Sequence, residues 1–412
     1  MKILVMNAGS SSHKLCLYMV EADLPDAPPK PDWSAQIDWY PQRQEAVVDV
    51  ETHHGQLFNK TVALTSKRDI LIQILSTLWQ GQTQVIQSPA DIDIVGHRVV
   101  HGGQTYCGSA VVTAEVKAAI AQLIPLAPSH NPANLEGIEL MDDLLGDVPQ
   151  VAVFDTAFHC QMPEVATTYP GPYEWIEQGI RRYGFHGISH QYCAHRAAHI
   201  LQRDIADLRL IICHLGNGSS LSAVKNGHSI DTTMGFTPLD GLMMGTRSGA
   251  VDPGILIYLM RQGYSANQLD HLLNQNSGLK GISGVSHDLR DIGVAIVQGN
   301  PRASLAQDLY LHRLNACIGS MLMSLGGLDA IVFTAGIGEH SATVRASVCD
   351  SMTFLGVQLD GDKNAASPVD QDIATEDSSI RVLVIHTQED WAIAQDCADK
   401  LHSEKSLRVS QS

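Results

Sequence analysis

The chain has 412 residues, of which 44% are hydrophobic and 17% charged, and its formal net charge is −17. This is the composition of a soluble globular protein with room for two or three domains, and its acidity disfavours nucleic acid or anionic membrane as a partner. The first residues form a short strand rather than a signal peptide and no apolar run is long enough to span a membrane; the eight cysteines make no Cys-x-x-Cys pair, which points away from zinc and towards a reducing cytoplasm.

Residues 3–6 are an apolar run that enters Asn7-Ala8-Gly9-Ser10-Ser11-Ser12 and leaves through 14–18. Residues 24–32 are polar and proline-rich and read as an exposed loop. Strand-like runs follow at 46–50 and 60–64. A helix is predicted over 69–79 from Ile70, Leu71, Ile74, Leu75 and Leu78, and a strand over 92–100 leading into His97-Arg98. Helices read over 113–123 and 133–145, the second behind the start signal Asn131-Pro132. Residues 149–154 are a wholly apolar strand ending at Asp155, a carboxylate that packing explains poorly, although a loop cap is an alternative.

A helix over 189–202 precedes residues 211–224, where one apolar run enters Gly216-Asn217-Gly218-Ser219-Ser220 and another leaves. This is a hairpin whose turn offers N–H and hydroxyl donors with almost no side-chain bulk, suited to an anion. Residues 303–325 are a long helix, and 330–334 a buried strand running into Gly336-Ile337-Gly338, read as a third glycine turn. Residues 363–379 read as loop and 382–385 as a strand. A helix through 401 starts behind the capping-box-like Thr387-Gln388-Glu389-Asp390.

Gly9-Ser10-Ser11 aligns with Gly218-Ser219-Ser220, so strand–turn–strand occurs twice. One such turn is explained equally well by a tight hairpin. Two copies far apart suggest a duplicated domain with a nucleotide between the halves. Gly336-Ile337-Gly338 fails the dinucleotide fingerprint, with Ser341 where the third glycine belongs, and no P-loop occurs. Three glycine turns after apolar strands fit the two-lobed architecture shared by actin, Hsp70 and sugar kinases.

The chain resembles the acetate/propionate kinase family. The match is carried by residues 7–12, His97-Arg98-Val99-Val100-His101-Gly102-Gly103, Ala127-Pro128-Ser129-His130-Asn131-Pro132, Phe154-Asp155-Thr156-Ala157-Phe158-His159 and Tyr183-Gly184-Phe185-His186-Gly187. It continues through 211–254, Gly336-Ile337-Gly338-Glu339 and Thr387-Gln388-Glu389, in the family's order. The resemblance implies an α/β, two-lobed, duplicated actin-like ATPase (ribonuclease H-like) fold with the nucleotide cleft between the lobes. It implies an acyl-substrate lobe over 1–155, completed by 387–412, and a nucleotide lobe over 156–386. It also implies reversible, Mg²⁺-dependent transfer (Mn²⁺ being an alternative ion) of the ATP γ-phosphoryl group to acetate, giving acetyl phosphate and ADP by direct in-line transfer in a cytoplasmic homodimer. Propionate or another short-chain acid is the alternative acceptor. An actin/Hsp70-type ATPase is the alternative class, for which paired arginines would have no purpose.

Joining two anions requires positive charge to offset their repulsion, and arginine binds oxygens as a planar fork. Arg98 and Arg247 match the family's two catalytic arginines, and His186 its donor to the phosphoryl group. Asp155 matches a carboxylate near the metal's water shell or the acceptor; an ionised acceptor needs no general base. Asn7 and Glu389 match the metal-associated positions. The resemblance places Asn7, Ser10, Ser12, Lys14, His214, Gly216, Asn217 and Gly218 at phosphate, and Asp288, Leu289, Arg290, Gly336, Ile337, Gly338 and His340 around the nucleotide. The acyl substrate falls to Arg98, Val100, Ser129, His130, Phe185 and Pro238. Three residues depart from the family pattern: His340 for asparagine, Leu289 for an aromatic residue, and Ser129 for leucine. Serine leaves more room beside a methyl group, which would ease entry of propionate; alternatively it turns away to bond locally, and Val100 and Phe185 close the pocket.

Overall fold

The strands gather into two sheets, one in each of two compact units, Met1–Ala157 with Gln388–Ser412, and Phe158–Thr387. The structure is a computed structural model that describes residues 1–9, 12–21, 24–25 and 27–410, apart from the side chains of 41 and 404–410. In the first unit the strands are β1 (Lys2–Ala8), β2 (Ser12–Met19), β3 (Trp33–Tyr40), β4 (Glu45–Thr52), β5 (Leu57–Ala63), β6 (Ile94–Val99), β7 (Ala110–Val111) and β8 (Gln150–Phe154). In the second they are β9 (Arg209–Leu215), β10 (Ser219–Lys225), β11 (His228–Thr232), β12 (Ala330–Thr334), β13 (Gln371–Asp372) and β14 (Arg381–Val384).

The sheet orders are β5-β4-β3-β2-β1-β6-β8-β7 and β11-β10-β9-β12-β14-β13. β1 to β3 form an antiparallel meander, β6 and β8 join β1 in parallel, and β7 closes the edge antiparallel. β9 to β11, then β12, β14 and β13, repeat that plan strand for strand. The duplication suggested by the two glycine turns is thus a duplication of topology, with β4 and β5 as additions to the first copy.

Burial follows from pairing. β9 and β12 are buried along nearly their whole length, as central strands covered on both faces are. β3 alternates, with Trp33, Ala35, Ile37 and Trp39 turned into the core that also holds Ile70, Leu71, Ile74 and Leu75 of the helix Lys67–Ser76. The helices Asn131–Leu145 and Gly187–Leu201 each start two residues earlier than periodicity predicts. The strands at 33–40 and 228–232 lie outside the predicted runs. The third glycine stretch is a correction. It is not an open turn but a short helix, Ala335–His340, entered through Ala335 at φ 62°. Residues 363–379, expected as loop, contain part of the helix Gly361–Ala365 and all of β13.

The C-terminal helix Glu389–Ser410 packs on β1, β6 and β8, burying Trp391, Ile393, Ala394, Cys397 and Ala398. Trp391 meets Tyr18 edge to face at 5.3 Å. Gly96, inside β6, is where helix and sheet come closest. A β-carbon there would lie 2.6 Å from both Cys397 Sγ and Ile393 Cγ2, so glycine sets the approach distance. No helix among the described residues is long and apolar enough to cross a membrane.

Buried ionisable groups are distributed unevenly. In the first unit burial lowers His13, His97 and His101 to about 4, and raises the carboxyls of Asp155, Asp390 and Asp396. In the second, burial lowers His159 to about 4 and His190 well below its ordinary value. There burial also acts on Asp329 and Glu339, but hydrogen bonds from Arg209, and from His386 and Thr387, outweigh it and hold both carboxyls low. Between pH 4 and the ordinary 6.5, a lowered histidine stays neutral in the fold while the unfolded chain takes up a proton. Each such histidine therefore removes about 1.4 kcal/mol of stability per pH unit as pH falls through that window. A raised carboxyl does the reverse, because the fold binds the proton first. The two sets oppose each other in the first unit, whereas in the second Asp329 and Glu339 are held low and give no such offset. Amide hydrogen exchange at pH 7 and pH 5, corrected for intrinsic rates, should show β9, β10 and β12 losing protection before β1, β6 and β8. Equal loss in both sheets would reject this distribution.

Candidate active site

β1, β6 and β8 lie side by side in parallel, so their carboxyl ends share one edge, the usual place for a ligand in such sheets. Asn7 stands near the end of β1, Arg98 near the end of β6, and Asp155 just past β8. Arg98 Nε donates to Asp155 Oδ1 at 3.2 Å, Nη2 donates to Oδ2, and Nη1 donates to Asn7 Oδ1 at 3.4 Å. Asp155 is 1% exposed. Burial pushes its carboxyl up, Arg98 pulls it back and the Glu389 carboxylate adds to the rise. Burial would lower Arg98, but Asp155 and Glu389 more than offset it and hold the guanidinium charged.

Glu389 is the first residue of the C-terminal helix, and Asp390 beside it accepts from Asn7 Nδ2 at 3.5 Å and from the Cys16 thiol at 3.8 Å. Lys14 is exposed on β2 and its charge pulls Asp390 down against burial. Two buried asparagines fix the loops after β1 and β6. Asn134 accepts from Val100 N at 3.1 Å and donates to Ala8 O at 2.8 Å, and Asn131 accepts from His101 N at 3.2 Å. Val100 is buried, Ser129 is exposed and His130 immediately precedes the helix Asn131–Leu145. Ser12 opens β2, and Ser10 lies outside the described residues.

In the second unit His186 has a left-handed backbone, φ 57°, directly before the helix Gly187–Leu201. A non-glycine residue there is uncommon and such strain often accompanies function. His214, at the end of β9, stacks on it with ring centres 4.2 Å apart. The turn Gly216-Asn217-Gly218 joins β9 to β10 and is closed by Gly216 N donating to Gly218 O at 3.1 Å. A β-carbon on Gly218 would lie 3.2 Å from His186 Nε2 and 3.4 Å from Arg247 Nη1, so both groups border the bare turn. Arg247 donates to Pro238 O at 3.3 Å, and burial lowers its pKa. Phe185 is buried and Pro238 half-buried.

The nucleotide candidates are dispersed. Asp288 caps the helix Leu289–Val297 and binds Arg290, and Leu289 packs on the unit's core. Gly336 has open space where a side chain would stand, and His340 is exposed. Ile337 packs on the core, and Gly338 is pressed against Phe333 and Cys213, a packing role. Glu339 accepts from His386 Nδ1 at 2.5 Å and Thr387 N at 3.1 Å, tying the two segments together. The structure therefore gathers Asn7, Arg98, Asp155 and Glu389 in one unit, and His186, His214, Gly216, Gly218 and Arg247 in the other. Sequence reasoning missed Asn134, Asp390 and His190; it read Ser220 as a turn hydroxyl offered to an anion, a correction, because Ser220 lies wholly buried in β10 and bonds His186 and His190. Asn134 had a signal, since it falls one helical turn after His130.

Twice-repeated sheets with polar residues at the carboxyl ends of parallel strands define an α/β protein of the duplicated actin-like ATPase fold. The chain belongs to the Acetokinase family, whose model matches residues 2–395. It is 67% identical to an acetate kinase of Acaryochloris marina, over 97% of this chain and 100% of that protein. The crystal structure of Porphyromonas gingivalis acetate kinase superposes with a TM-score of 0.89 at 40% identity, covering 97% of this chain and 99% of that one. A propionate kinase from Francisella tularensis superposes with a TM-score of 0.88 at 37% identity, with the same coverage of each.

Gly218→Ala would push a methyl group against His186 and Arg247 while leaving the β9–β10 turn intact. The expected result is a fall in turnover of about tenfold with an unchanged thermal midpoint. Undiminished turnover would show that the two side chains do not work at this turn.

Proposed function

We propose that the chain transfers the γ-phosphoryl group of ATP reversibly to acetate, giving acetyl phosphate and ADP, by direct in-line displacement without a phosphoenzyme. The observation that carries this reading is a pair of half-buried arginines in opposite surroundings: Arg98 answered by a carboxylate, Arg247 bonded to a backbone carbonyl and weakened by desolvation. An arginine in the second condition is ready for an anionic oxygen. An acetate oxygen attacks the γ-phosphorus, the bond to the β,γ-bridging oxygen breaks, and the electron pair leaves with ADP; no proton is transferred. Arg98 orients the carboxylate, with Val100 providing apolar contact for the methyl group. Arg247 and His186 Nε2 donate to the phosphoryl oxygens as charge spreads over them, and the N–H groups of the 216–218 turn take the neighbouring phosphates. Asp288, Leu289, Arg290 and Gly336 serve the adenosine.

Asn7 and Glu389 offer only oxygen donors from two residues, which suits Mg²⁺ (or Mn²⁺), an ion that keeps several waters and binds through few protein groups. Mg²⁺ would supply charge neutralisation at the β- and γ-phosphates. Propionate is a second acceptor, favoured by the exposed Ser129 and by the likeness to a propionate kinase. The cytoplasm, where ATP is available, is the proposed compartment.

Trapping the acyl phosphate as hydroxamate, with acetate, propionate and butyrate, tests the reaction. Arg98→Ala and Arg247→Ala should each lower acetate turnover about 100-fold or more. Only Arg98→Ala should also lower the unfolding midpoint, because it strands the buried Asp155 carboxylate. Near-normal turnover in both variants would reject this site.

The reading includes a homodimer, and the helix Pro253–Arg261 is its proposed interface. Ile255, Ile257, Tyr258 and Met260 are each about half exposed there, at 48%, 48%, 60% and 50%. So much apolar surface on one helix marks a partner site. Sedimentation velocity should show a dimer that Ile257→Glu with Tyr258→Glu converts to monomer; a wild-type monomer at micromolar concentration would overturn it.

A further inference from the structure

His186 reaches Ser220, and Ser220 reaches a second histidine one helical turn further on. Ser220 Oγ lies 2.9 Å from His186 Nδ1 and 2.7 Å from His190 Nε2. The two histidines stand four residues apart, with His190 N donating to His186 O at 2.9 Å, so the first helical turn sets their spacing. Ser220 and His190 are both wholly buried. His190 Nδ1 has no hydrogen-bond partner among the described residues. Burial, with His159 and His214 adding, keeps this ring neutral, so it carries one N–H.

One hydroxyl proton must be shared between two rings, which leaves two arrangements. If Ser220 donates to His190 Nε2, the His190 proton sits on Nδ1, a buried N–H with no acceptor. Leaving a buried donor unsatisfied is costly. If instead His190 Nε2–H donates to Ser220 Oγ, and Ser220 donates to His186 Nδ1, the His190 and Ser220 protons both have acceptors and only a lone pair of His190 is left unused. Neutral His186 then carries its own proton on Nε2, the atom that borders Gly218 beside Arg247.

We propose that His190, acting through the Ser220 hydroxyl, fixes His186 as its Nε2–H tautomer and is a positioning residue for phosphoryl recognition. This rests on the reading of His186 as a donor to the phosphoryl group. The residue beside His190 makes a similar contact with the stacked ring: Ser189 Oγ lies 2.8 Å from His214 Nδ1 and 3.1 Å from Thr387 Oγ1. Adjacent residues of one helical turn thus lead to both imidazoles at the glycine turn.

The full chain, labelled with ring-¹⁵N histidine, gives the tautomer from long-range ¹H–¹⁵N correlations, and His186→Gln assigns the signal. Wild type should show His186 protonated on Nε2. Ser220→Ala should show mixed tautomers and a fall in kcat of about 10- to 100-fold, with KM for ATP and acetate changed less than about threefold. His190→Gln restores an N–H and should keep kcat within about threefold of wild type, whereas His190→Leu should match Ser220→Ala. Wild-type His186 protonated on Nδ1 would overturn the proposal, as would an unchanged tautomer in Ser220→Ala, a measurement that stands even if His190→Leu does not fold. If His186→Gln turns over normally, the phosphoryl role fails, and the tautomer assignment is judged separately from the spectra.

Discussion

Arg98 is a cation that the first unit has to hold at the edge of a buried sheet. Its neighbours are arranged around that requirement. Asp155 emerges from β8 to take the guanidinium in a two-point contact, and Asn7 emerges from β1 to take a third N–H. Each partner sits on or just past a separate parallel strand, so the pair depends on the β1-β6-β8 order, and the C-terminal helix packs on those three strands. The buried asparagines Asn131 and Asn134 then hold the loops that follow β1 and β6. An ion pair removed from water stabilises only when its remaining hydrogen bonds are satisfied, and here the Asn7 side-chain oxygen takes one of the remaining guanidinium N–H groups.

The second unit uses the same sheet plan with different chemistry. Where the first copy places opposite charges, the second places hydroxyls and imidazoles: Ser189, Ser220, Ser222, Ser229, His159, His186, His190 and His214. Its arginine, Arg247, bonds a backbone carbonyl instead of a carboxylate. The contrast suits the proposed division, in which one copy orients a small acid and the other grips phosphate. A duplicated scaffold lets each copy specialise, because the strand order does not depend on which side chains stand at its carboxyl edge.

Much of this was legible in the sequence, and the misses have physical causes. The apolar runs at 3–6, 149–154, 211–215 and 330–334 become central strands, because continuous hydrophobicity survives any tertiary context. β3 alternates plainly from Trp33 to Tyr40, but it follows directly on a proline-rich stretch whose composition is that of a loop. The glycine stretch at 336–338 folds as a helix because Ala335 turns the chain through a left-handed conformation that no sequence pattern announces. Arg98, Asp155 and His186 were identifiable by motif. The Ser220–His190 link was not, since it depends on a strand and a helix meeting, and Asn134 reads as an ordinary helix residue until its side chain is seen bonded to Ala8.

The return of residues 389–401 to the first unit has a consequence for synthesis. Gly96 leaves room on β6 that the helix carrying Ile393 and Cys397 fills. On the ribosome, the strands β1, β6 and β8 are complete long before that helix emerges. The nascent sheet must therefore wait, with one apolar face uncovered, while all of the second unit is translated. That second unit is continuous in sequence and can finish folding first. The earliest-made half of the enzyme is thus the last to be sealed, and during that interval it presents a surface for a chaperone or for another nascent copy.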